Sequence, residues 1–357
     1  MLGYWRSIFY SQAAAPIFKA VADALGVTPQ VCKEYCTSGV ITYGLGYFIM
    51  MLVIIAVIVG LITFLRKKKG TTKPVNAALK VIGCILAVIA ILGGTIGLST
   101  YKQLVTVKGL KNVGNSADYN PDKYSMDPNS PIQGKTLLWL GSSVWQGFGT
   151  SESMSPALWM DAMTGTKSII EVKGGTLLAN VNASLGGSMA DQKLDSSTSY
   201  YPRLTNHTKD TDPQVDLVVV QLSTNDSKGQ CETGTVDPNA FDISAFDGST
   251  TIGSIEQIIS YAKETWGAKT LVIGGSYFED EMTYSGGQKK EIYLDMIEKC
   301  HQLDEKWGDQ FEFLDLWHND VMYENVKTGD QQWRMYMSDA IHPTKKGYAE
   351  WWGPYMI

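Results

Sequence analysis

Ser143 is the first residue in this sequence whose type and position suggest chemistry. It follows the apolar run 137–140, which ends at Gly141 and Ser142. An apolar run cut off by glycine and serine predicts a buried strand followed by a sharp turn, and such a turn exposes a hydroxyl at the end of a sheet. A serine hydroxyl becomes a nucleophile when a histidine lies within hydrogen-bond reach.

Asp339 and His342 supply the candidate base. They lie three positions apart and precede Pro343, a spacing that lets the carboxylate hold the Nδ1 proton of the imidazole while Nε2 faces the serine. Among the other histidines, His318 is the only rival base. Asn225 follows a further apolar run, and its side-chain amide can donate a hydrogen bond to an oxyanion. Together these residues predict a Ser-His-Asp triad.

Alternating strand-like and helix-like segments predict how these residues are positioned. The strand candidates are short and apolar with little alternation, as expected for strands covered on both faces. Strands are predicted at 136–140, 168–172, 215–222, 270–274 and 311–316, and helices at 155–163, 252–266 and 289–307. This order predicts an α/β fold with a parallel sheet between layers of helices, whose active site lies beyond the carboxyl ends of the strands.

Residues 135–357 resemble the SGNH (GDSL-type) hydrolase family in three sequence blocks. The matching blocks are Gly141-Ser142-Ser143-Val144, Leu222-Ser223-Thr224-Asn225-Asp226 and Asp339-Ala340-Ile341-His342-Pro343. The resemblance implies a flavodoxin-like three-layer α/β/α sandwich with a five-stranded parallel sheet. It also implies a role for each matching side chain: Ser143 as nucleophile, His342 as base, Asp339 as the group that orients the base, and Ser143 N–H and Asn225 as oxyanion donors.

Two positions depart from the family pattern. Ser142 stands where the family commonly has aspartate, although variants with serine there are similar to this chain. Because Ser142 is not the nucleophile, the resemblance implies that the chemistry is kept. The glycine that gives a backbone N–H to the oxyanion has two candidates: Gly175, which follows a predicted strand and is preferred, and Gly187, which lies in a competing match.

Two apolar segments without charge precede this region, at residues 40–65 and 81–100. At about 1.5 Å rise per residue, each is long enough to cross the roughly 30 Å hydrocarbon core of a membrane. The loop between them, 66–80, carries six positive charges and no acidic residue, so the positive-inside rule predicts that it is cytoplasmic. We therefore expect a two-pass cell-membrane protein whose N-terminus and catalytic domain are both extracytoplasmic.

The remaining segments complete the predicted domain organisation. Residues 1–39 combine aromatic and apolar residues in a pattern that fits an amphipathic segment on the outer leaflet or, equally, a helix packed against the two spans. Residues 101–134 are rich in Lys, Asn, Asp, Ser, Pro and Gly and predict a linker or stalk. Residues 135–357 form the predicted catalytic domain.

Charge and cysteine content exclude several function classes. Residues 101–357 carry 21 of the 30 basic and 34 of the 36 acidic residues, so no nucleic-acid partner is expected. With four histidines and no Cys/His cluster, the sequence predicts no metal site, and no cofactor is expected. Two cysteine pairs, Cys32 with Cys36 and Cys231 with Cys300, are candidate disulfides that the sequence leaves open.

The sequence thus predicts a membrane-anchored, extracytoplasmic serine esterase or acylhydrolase, with deacetylation as one form, acting on an acylated cell-surface glycan or lipid. Two alternatives stay open: an O-acyltransferase that uses the same triad, and a non-catalytic binding or scaffold protein on a hydrolase fold. Exclusion of water separates transfer from hydrolysis, and the complete set of catalytic side chains argues against the scaffold. The sequence does not predict an oligomeric state.

Overall fold

The computed structural model describes residues 105, 108–184, 193–277, 288–326 and 332–356. The chain divides into two compact units, Met1–Lys108 and Gly109–Ile357, and the described residues fall almost entirely in the second. The predicted N-terminal segment 1–39, the predicted spans 40–65 and 81–100 and the basic loop 66–80 lie outside the described residues. No helix among the described residues is long and apolar enough to cross a membrane.

A parallel sheet forms the centre of the second unit. In chain order the strands are β1 (Thr136–Gly141), β2 (Lys167–Val172), β3 (Ala183–Ser184), β4 (Lys193–Leu194), β5 (Leu217–Gln221), β6 (Lys269–Gly274) and β7 (Phe311–Asp315). Strands β3 and β4 pair with each other, antiparallel, and the other five form one sheet in the order β2-β1-β5-β6-β7, with every pair parallel. The predicted five-stranded parallel sheet is confirmed, with strand bounds within two residues of those expected.

Burial along the strands follows their place in the sheet. Strand β1 is buried from Leu137 to Gly141, and β5 is buried from Val218 to Gln221, because both lie in the interior of the sheet and are covered on both faces. The edge strand β7 instead alternates buried and more exposed residues. The sequence gives β1 and β5 the continuous apolar character that central strands need.

Helices follow most of the strands. They are α1 (Ala157–Thr164), α2 (Tyr200–Leu204), α3 (Thr224–Gly229), α4 (Thr251–Trp266), α5 (Lys290–Trp307), α6 (Leu316–Asn319), α7 (Tyr323–Val326) and α8 (Gly353–Met356), with a π-helical turn at Gly347–Trp352. Helix α4 contacts both α2 and α5, whereas α1 contacts α8. The connection from β1 to β2 runs one way across the sheet, and the connections from β5 to β6 and β7 run the other way. Because parallel crossovers are right-handed, connections in opposite directions place their helices on opposite faces of the sheet, which gives the three layers.

The strand order sets the place of the active site. Counted along the sheet, the chain runs outward from β1 in one direction to β2 and in the other direction to β5, β6 and β7. Open α/β sheets bind ligands at such a switch point, in the crevice beyond the carboxyl ends of the strands. Ser143 follows β1 and Asn225 follows β5, so both sides of this crevice carry a predicted site residue.

Residues 109–134, the larger part of the predicted linker, pack against the domain. They belong to the same compact unit as the sheet and contain two short 3₁₀ helices, Ala117–Tyr119 and Pro121–Lys123. The Tyr119 carbonyl accepts the indole N–H of Trp159 over 2.9 Å. The polar composition that predicts a stalk instead supplies capping groups and hydrogen bonds to the domain surface.

Candidate active site

Ser143 lies in the first turn after β1. The turn is closed by a hydrogen bond from Gln146 N–H to Ser142 O, 2.9 Å long. Gly141 permits this turn, because a side chain at that position would come within 2.6 Å of the Trp145 ring. Strand β1 thus places Ser143 at the carboxyl end of the sheet, where its side chain is partly exposed.

Gln221, the last residue of β5, holds this turn from the neighbouring strand. Its Oε1 accepts the backbone N–H groups of Ser142 (3.0 Å) and Trp145 (3.2 Å), and its Nε2 donates to Ser142 Oγ (3.1 Å). Gln221 and Ser142 are both buried. Ser142, the residue that departs from the family pattern, therefore stabilises the nucleophile turn through Gln221.

The imidazole of His342 joins Ser143 to Asp339. Its Nε2 lies 2.7 Å from Ser143 Oγ, and its Nδ1 lies 2.9 and 2.8 Å from the two carboxylate oxygens of Asp339. In the tautomer whose Nδ1–H donates to the Asp339 carboxylate, Nε2 carries no proton and can accept the serine proton. The structure brings together the three side chains that the sequence predicts as a triad.

The carboxyl group of Asp339 is held in its ionised form. Burial acts to raise its pKa, but the charge and Nδ1–H of His342 and the backbone N–H groups of Ile341 and His342 outweigh it and hold the pKa of Asp339 well below the usual aspartate value. The Asp339 side chain is 47% exposed, so solvent screens part of this effect. Asp339 can therefore orient the imidazole while remaining an anion.

The loop that carries His342 is fixed from the N-terminal side of the domain. Asn115 donates from Nδ2 to Gly149 O and accepts the Lys345 N–H, both over 3.1 Å. The Lys345 side chain is buried, and its ammonium group donates to Asn120 Oδ1 and Glu152 Oε2, both over 2.7 Å. These contacts connect the histidine loop with the turn that follows the nucleophile.

The second motif positions the loop after β2. Asn225 Nδ2 donates to Thr176 O over 3.0 Å, and the carboxylate of Asp226 accepts the N–H groups of Leu178 and Ala179, both over 2.8 Å. Asp226 is fully buried, and burial raises its pKa, against the lowering effect of the hydrogen bonds that it accepts. An amide nitrogen carries two protons, so the bond to Thr176 does not exhaust Asn225 as a donor.

Gly174 lies beside the nucleophile turn. A Cβ added at Gly174 would lie 3.6 Å from Ser143 Cβ, and the Gly174 N–H donates to Gln146 Oε1 over 2.8 Å. Gly175 follows with a φ of +76°, and Gly187 lies outside the described residues. Because its N–H bonds Gln146, Gly174 supports the nucleophile turn rather than offering a free donor, and the role of Gly175 as the backbone oxyanion donor stays a prediction.

Two further residues at the site belong to none of the motifs. Arg203, on α2, is buried and donates to Gly141 O (2.8 Å) and Glu171 O (2.9 Å), which ties the ends of β1 and β2 together. Phe148 is 63% exposed, and its ring centroid lies 5.0 Å from that of His342. Only the closeness of Phe148 to Ser143 in the sequence could have indicated a place at the site.

The rival base His318 is engaged elsewhere. Its Nδ1 lies 2.7 Å from Asp315 Oδ2, and His301 Nε2 lies 2.9 Å from the same oxygen. These three residues could hold a metal ion, although the sequence predicts no metal site. The spacing from 301 to 318 resembles no common ligand motif, so the group becomes visible only in the fold.

Cys231 and Cys300 are free and buried, so the disulfide considered between them is not formed. Burial raises the pKa of both thiols, which keeps them protonated and unreactive. Cys32 and Cys36 lie outside the described residues.

Comparisons with known proteins give a family and several solved structures. The model of the GDSL-like lipase/acylhydrolase family matches residues 139–350. A protein from Lactobacillus plantarum is 16% identical with a TM-score of 0.41, covering 63% of this chain and 97% of its own. A carbohydrate acetylesterase family member from Sinorhizobium meliloti is 16% identical with a TM-score of 0.36, covering 62% and 97%. A carbohydrate esterase family 2 enzyme with a carbohydrate-binding domain from Corynascus thermopiles is 15% identical with a TM-score of 0.37, covering 64% and 66%.

No curated protein matches the chain. The family match, by contrast, spans more than half of the chain and begins within β1. It includes all three sequence blocks, from Ser143 through Asn225 to His342. The chain therefore belongs to the GDSL-like lipase/acylhydrolase family and is a serine ester hydrolase.

Proposed function

We propose that this protein is a membrane-anchored, outward-facing esterase that removes acyl groups, such as acetyl, from a glycan or lipid at the cell surface. The hydrogen-bonded series Asp339–His342–Ser143 is the observation that carries the chemistry. The membrane anchor rests on the apolar segments 40–65 and 81–100, and its orientation rests on the basic loop between them.

In the first half of the reaction, Ser143 Oγ attacks the ester carbonyl and His342 Nε2 accepts the serine proton. The new bond joins Oγ to the acyl carbon, and the bond from that carbon to the alcohol oxygen breaks as His342 returns the proton to the leaving alcohol. In the second half, water attacks the acyl-serine with His342 again as base, which releases the acid and restores Ser143. Asp339 keeps the imidazole in the required tautomer throughout.

Backbone and amide donors stabilise the negative oxygen that forms in each half. The N–H of Ser143, a glycine N–H from the loop after β2 and the amide of Asn225 are the candidates. The preferred glycine donor is Gly175, which has a φ of +76° in the loop after β2, and Gly187 is the alternative. Loss of one such donor typically costs about 2.7–4 kcal/mol in the barrier.

The exposed surroundings of the triad favour hydrolysis over acyl transfer. The Asp339 side chain is 47% exposed to solvent, and Phe148, beside His342, is 63% exposed. Transfer to a sugar hydroxyl requires that water be kept from the acyl-enzyme, and these exposures leave water a path. The Phe148 ring also presents an apolar face on which the alcohol or acyl part of a substrate can pack.

Active-site labelling tests the enzyme assignment. Full-length protein in detergent is treated with a fluorophosphonate probe, which should label wild type and fail to label Ser143→Ala. Ser244→Ala is the matched control, because Ser244 is exposed and its Oγ bonds Asp242 within the same 3₁₀ turn, away from the triad. Labelling that persists in Ser143→Ala, or is absent from wild type, would overturn the role given to Ser143.

Product analysis then identifies the reaction. The protein is offered acetylated polysaccharide, a phospholipid and short p-nitrophenyl esters, with and without an unacylated glycan as acceptor. Release of free acid that does not fall when the acceptor is added supports hydrolysis. Acylated acceptor as the main product would assign the protein as an O-acyltransferase instead.

Protease treatment of intact cells tests the proposed orientation. If residues 101–357 lie outside the membrane, added protease should release or degrade the catalytic domain while a tag in the 66–80 loop stays protected. Protection of the catalytic domain with cleavage of the loop tag would mean that the orientation is inverted.

A further inference from the structure

Three side chains from three elements meet at the edge of the sheet that lies away from the nucleophile. Asp315 is the last residue of β7, His301 lies on α5 and His318 lies on α6. One ligand atom from each residue lies within 4.8 Å of the others. Strands β5 and β6 separate β7 from β1, so this group is distinct from the Ser143 site.

The two oxygens of the Asp315 carboxylate make different contacts. Its Oδ1 accepts the backbone N–H of His318 over 3.1 Å and so caps the start of α6. Its Oδ2 faces both imidazoles, 2.9 Å from His301 Nε2 and 2.7 Å from His318 Nδ1. The cap fixes the carboxylate and leaves a single oxygen directed at two ring nitrogens.

Burial differs between the carboxylate and the imidazoles. The Asp315 side chain is 2% exposed, whereas those of His301 and His318 are 51% and 56% exposed. The rings of Phe313 and His301 pack in a T-shaped pair with centroids 5.0 Å apart, which restricts rotation of the imidazole. A buried anion with two accessible imidazoles leaves room for solvent to complete a coordination shell.

We propose that His301 Nε2, His318 Nδ1 and Asp315 Oδ2 form a binding site for a divalent transition-metal ion of the zinc class. Two imidazole nitrogens and one carboxylate oxygen are ligands that such ions prefer, whereas Mg²⁺ and Ca²⁺ select oxygen. Metal–ligand bonds of about 2.0–2.2 Å imply ligand separations of roughly 3.3 Å in a tetrahedral site. The two separations between Asp315 Oδ2 and the ring nitrogens, 2.9 and 2.7 Å, are shorter by about half an ångström, a shift that the two half-exposed imidazoles can make.

Binding replaces the protons that now lie between the ring nitrogens and Oδ2. Each imidazole offers a lone pair to the ion and keeps its proton on the other ring nitrogen, while water fills the remaining position. The ion would then connect α5, the end of β7 and α6 at an edge of the sheet. Its role is to stabilise this edge, and hydrolysis at Ser143 does not depend on it.

Metal titration of the full-length protein tests the site. Protein without an oligohistidine tag is stripped with a chelator in detergent and titrated with Zn²⁺ and, separately, with Co²⁺. We expect one equivalent to bind, with a visible Co²⁺ absorption band and with a melting temperature raised by roughly 5–10 °C at a Zn²⁺ concentration 100 times Kd. A preparation that shows neither a saturable band nor a thermal shift overturns the proposal.

Three substitutions identify the ligands. His301→Gln and His318→Gln should each weaken Zn²⁺ binding at least tenfold, and both residues are exposed enough that the fold should survive. His207→Gln is the matched control, because His207 also bonds two carboxylates. Its Nδ1 faces Asp212 (2.8 Å) and its Nε2 faces Glu171 (3.4 Å), so the two carboxylates lie on opposite sides of the ring and do not converge on one point. Equal binding in all three variants, or loss in His207→Gln alone, would assign the metal to another place and contradict the site.

Discussion

At the scale of single residues, Asp339 determines how the active site responds to acid. Its pKa lies below the usual value, so it stays an anion across the range in which an esterase is normally assayed. Asp339 itself should therefore add no ionisation on the acid side. We expect a single ionisation on the acid limb of the kcat/KM profile, and a limb that requires two protons would contradict the role given to Asp339.

Replacing Asp339 by asparagine tests the same group by activity and by stability. Asp339→Asn should lower kcat by roughly 10³–10⁴-fold at every pH, because the imidazole loses its required tautomer. A depressed folded-state pKa stabilises the protein above the unfolded value near 3.9, and this stability is lost as pH falls through the folded pKa. The variant's melting temperature should therefore fall less steeply below about pH 4 than that of wild type, and parallel curves would contradict the ion pair.

Gln221 is a residue whose importance only the fold reveals. Gln221→Leu keeps the side-chain volume but leaves the buried N–H groups of Ser142 and Trp145 without their acceptor, at about 1–3 kcal/mol each. We expect a lower free energy of unfolding in urea and a reduced kcat, because the nucleophile turn is no longer held. Gln214→Leu is the matched control, since Gln214 is exposed and makes one long contact with Asp216. A Gln221 variant as stable as this control would contradict the assignment.

The sequence predicts the triad side chains because each lies in a short motif directly after a strand or beside proline. It does not predict Gly174, Gln146 or Gln221, because their contacts depend on how loops from different strands meet. Periodicity gives the length of β2 but not the path of the chain after it. For this reason the sequence leaves both Gly175 and Gly187 as candidates for the oxyanion donor.

At the scale of elements, α4 and α5 are joined by a buried ion pair. Glu256 on α4 bonds Lys306 on α5, and their side chains are 4% and 1% exposed. The rings of Phe241, Phe246 and Trp307 surround the Lys306 ammonium at 5.0–5.4 Å. Burial raises the pKa of Glu256 and Lys306 opposes this, so the carboxylate depends on the lysine for its charge.

Lys306→Met should lower the free energy of unfolding by about 3–5 kcal/mol at pH 7, because it leaves a buried carboxylate without its charged partner and with only the long bond from the Trp307 indole. Because burial raises the pKa of Glu256 in the folded state, the folded variant takes up a proton on Glu256 at a higher pH than the unfolded chain does. Its stability should therefore improve as pH falls from 7 to 5. The double variant Glu256→Met/Lys306→Met should recover most of the lost free energy of unfolding. If the double variant is no more stable than Lys306→Met, the loss comes from packing around the lysine methylene groups and not from the unpaired charge.

The main strands and the long helices are predicted well from the sequence because their apolar patterns are continuous. The π-helical turn at Gly347–Trp352, by contrast, has no sequence signal. Tyr348, Trp351 and Trp352 are all buried there, and the wider turn brings each of them into the core. Their positions are set by neighbours such as Trp159 and Trp145, which lie far away in the sequence.

At the scale of the whole molecule, residues 109–134 act as part of the catalytic domain. They provide Asn115 and Asn120, which bond the His342 loop through the backbone and the buried ammonium group of Lys345. Composition predicts a linker here because polar residues with Pro and Gly occur both in linkers and in segments that pack through hydrogen bonds. Because these residues belong to the same compact unit as the sheet, we expect the catalytic domain to need them for folding.

Truncation tests this expectation. A chain that begins at residue 109 should unfold cooperatively and keep esterase activity. A chain that begins at 135 lacks Asn120, so the Lys345 ammonium group keeps the exposed Glu152 as its partner but loses the Asn120 oxygen. It also lacks Asn115, which donates to Gly149 O. A buried ammonium group that loses a partner costs several kcal/mol, so the shorter chain should be less stable and less active. In the full-length protein, Asn115→Ala should reproduce part of the loss in activity, and Ser116→Ala, which removes an exposed cap, should not. Equal melting temperatures and equal kcat for the two truncated chains would mean that residues 109–134 are a linker and not part of the catalytic domain.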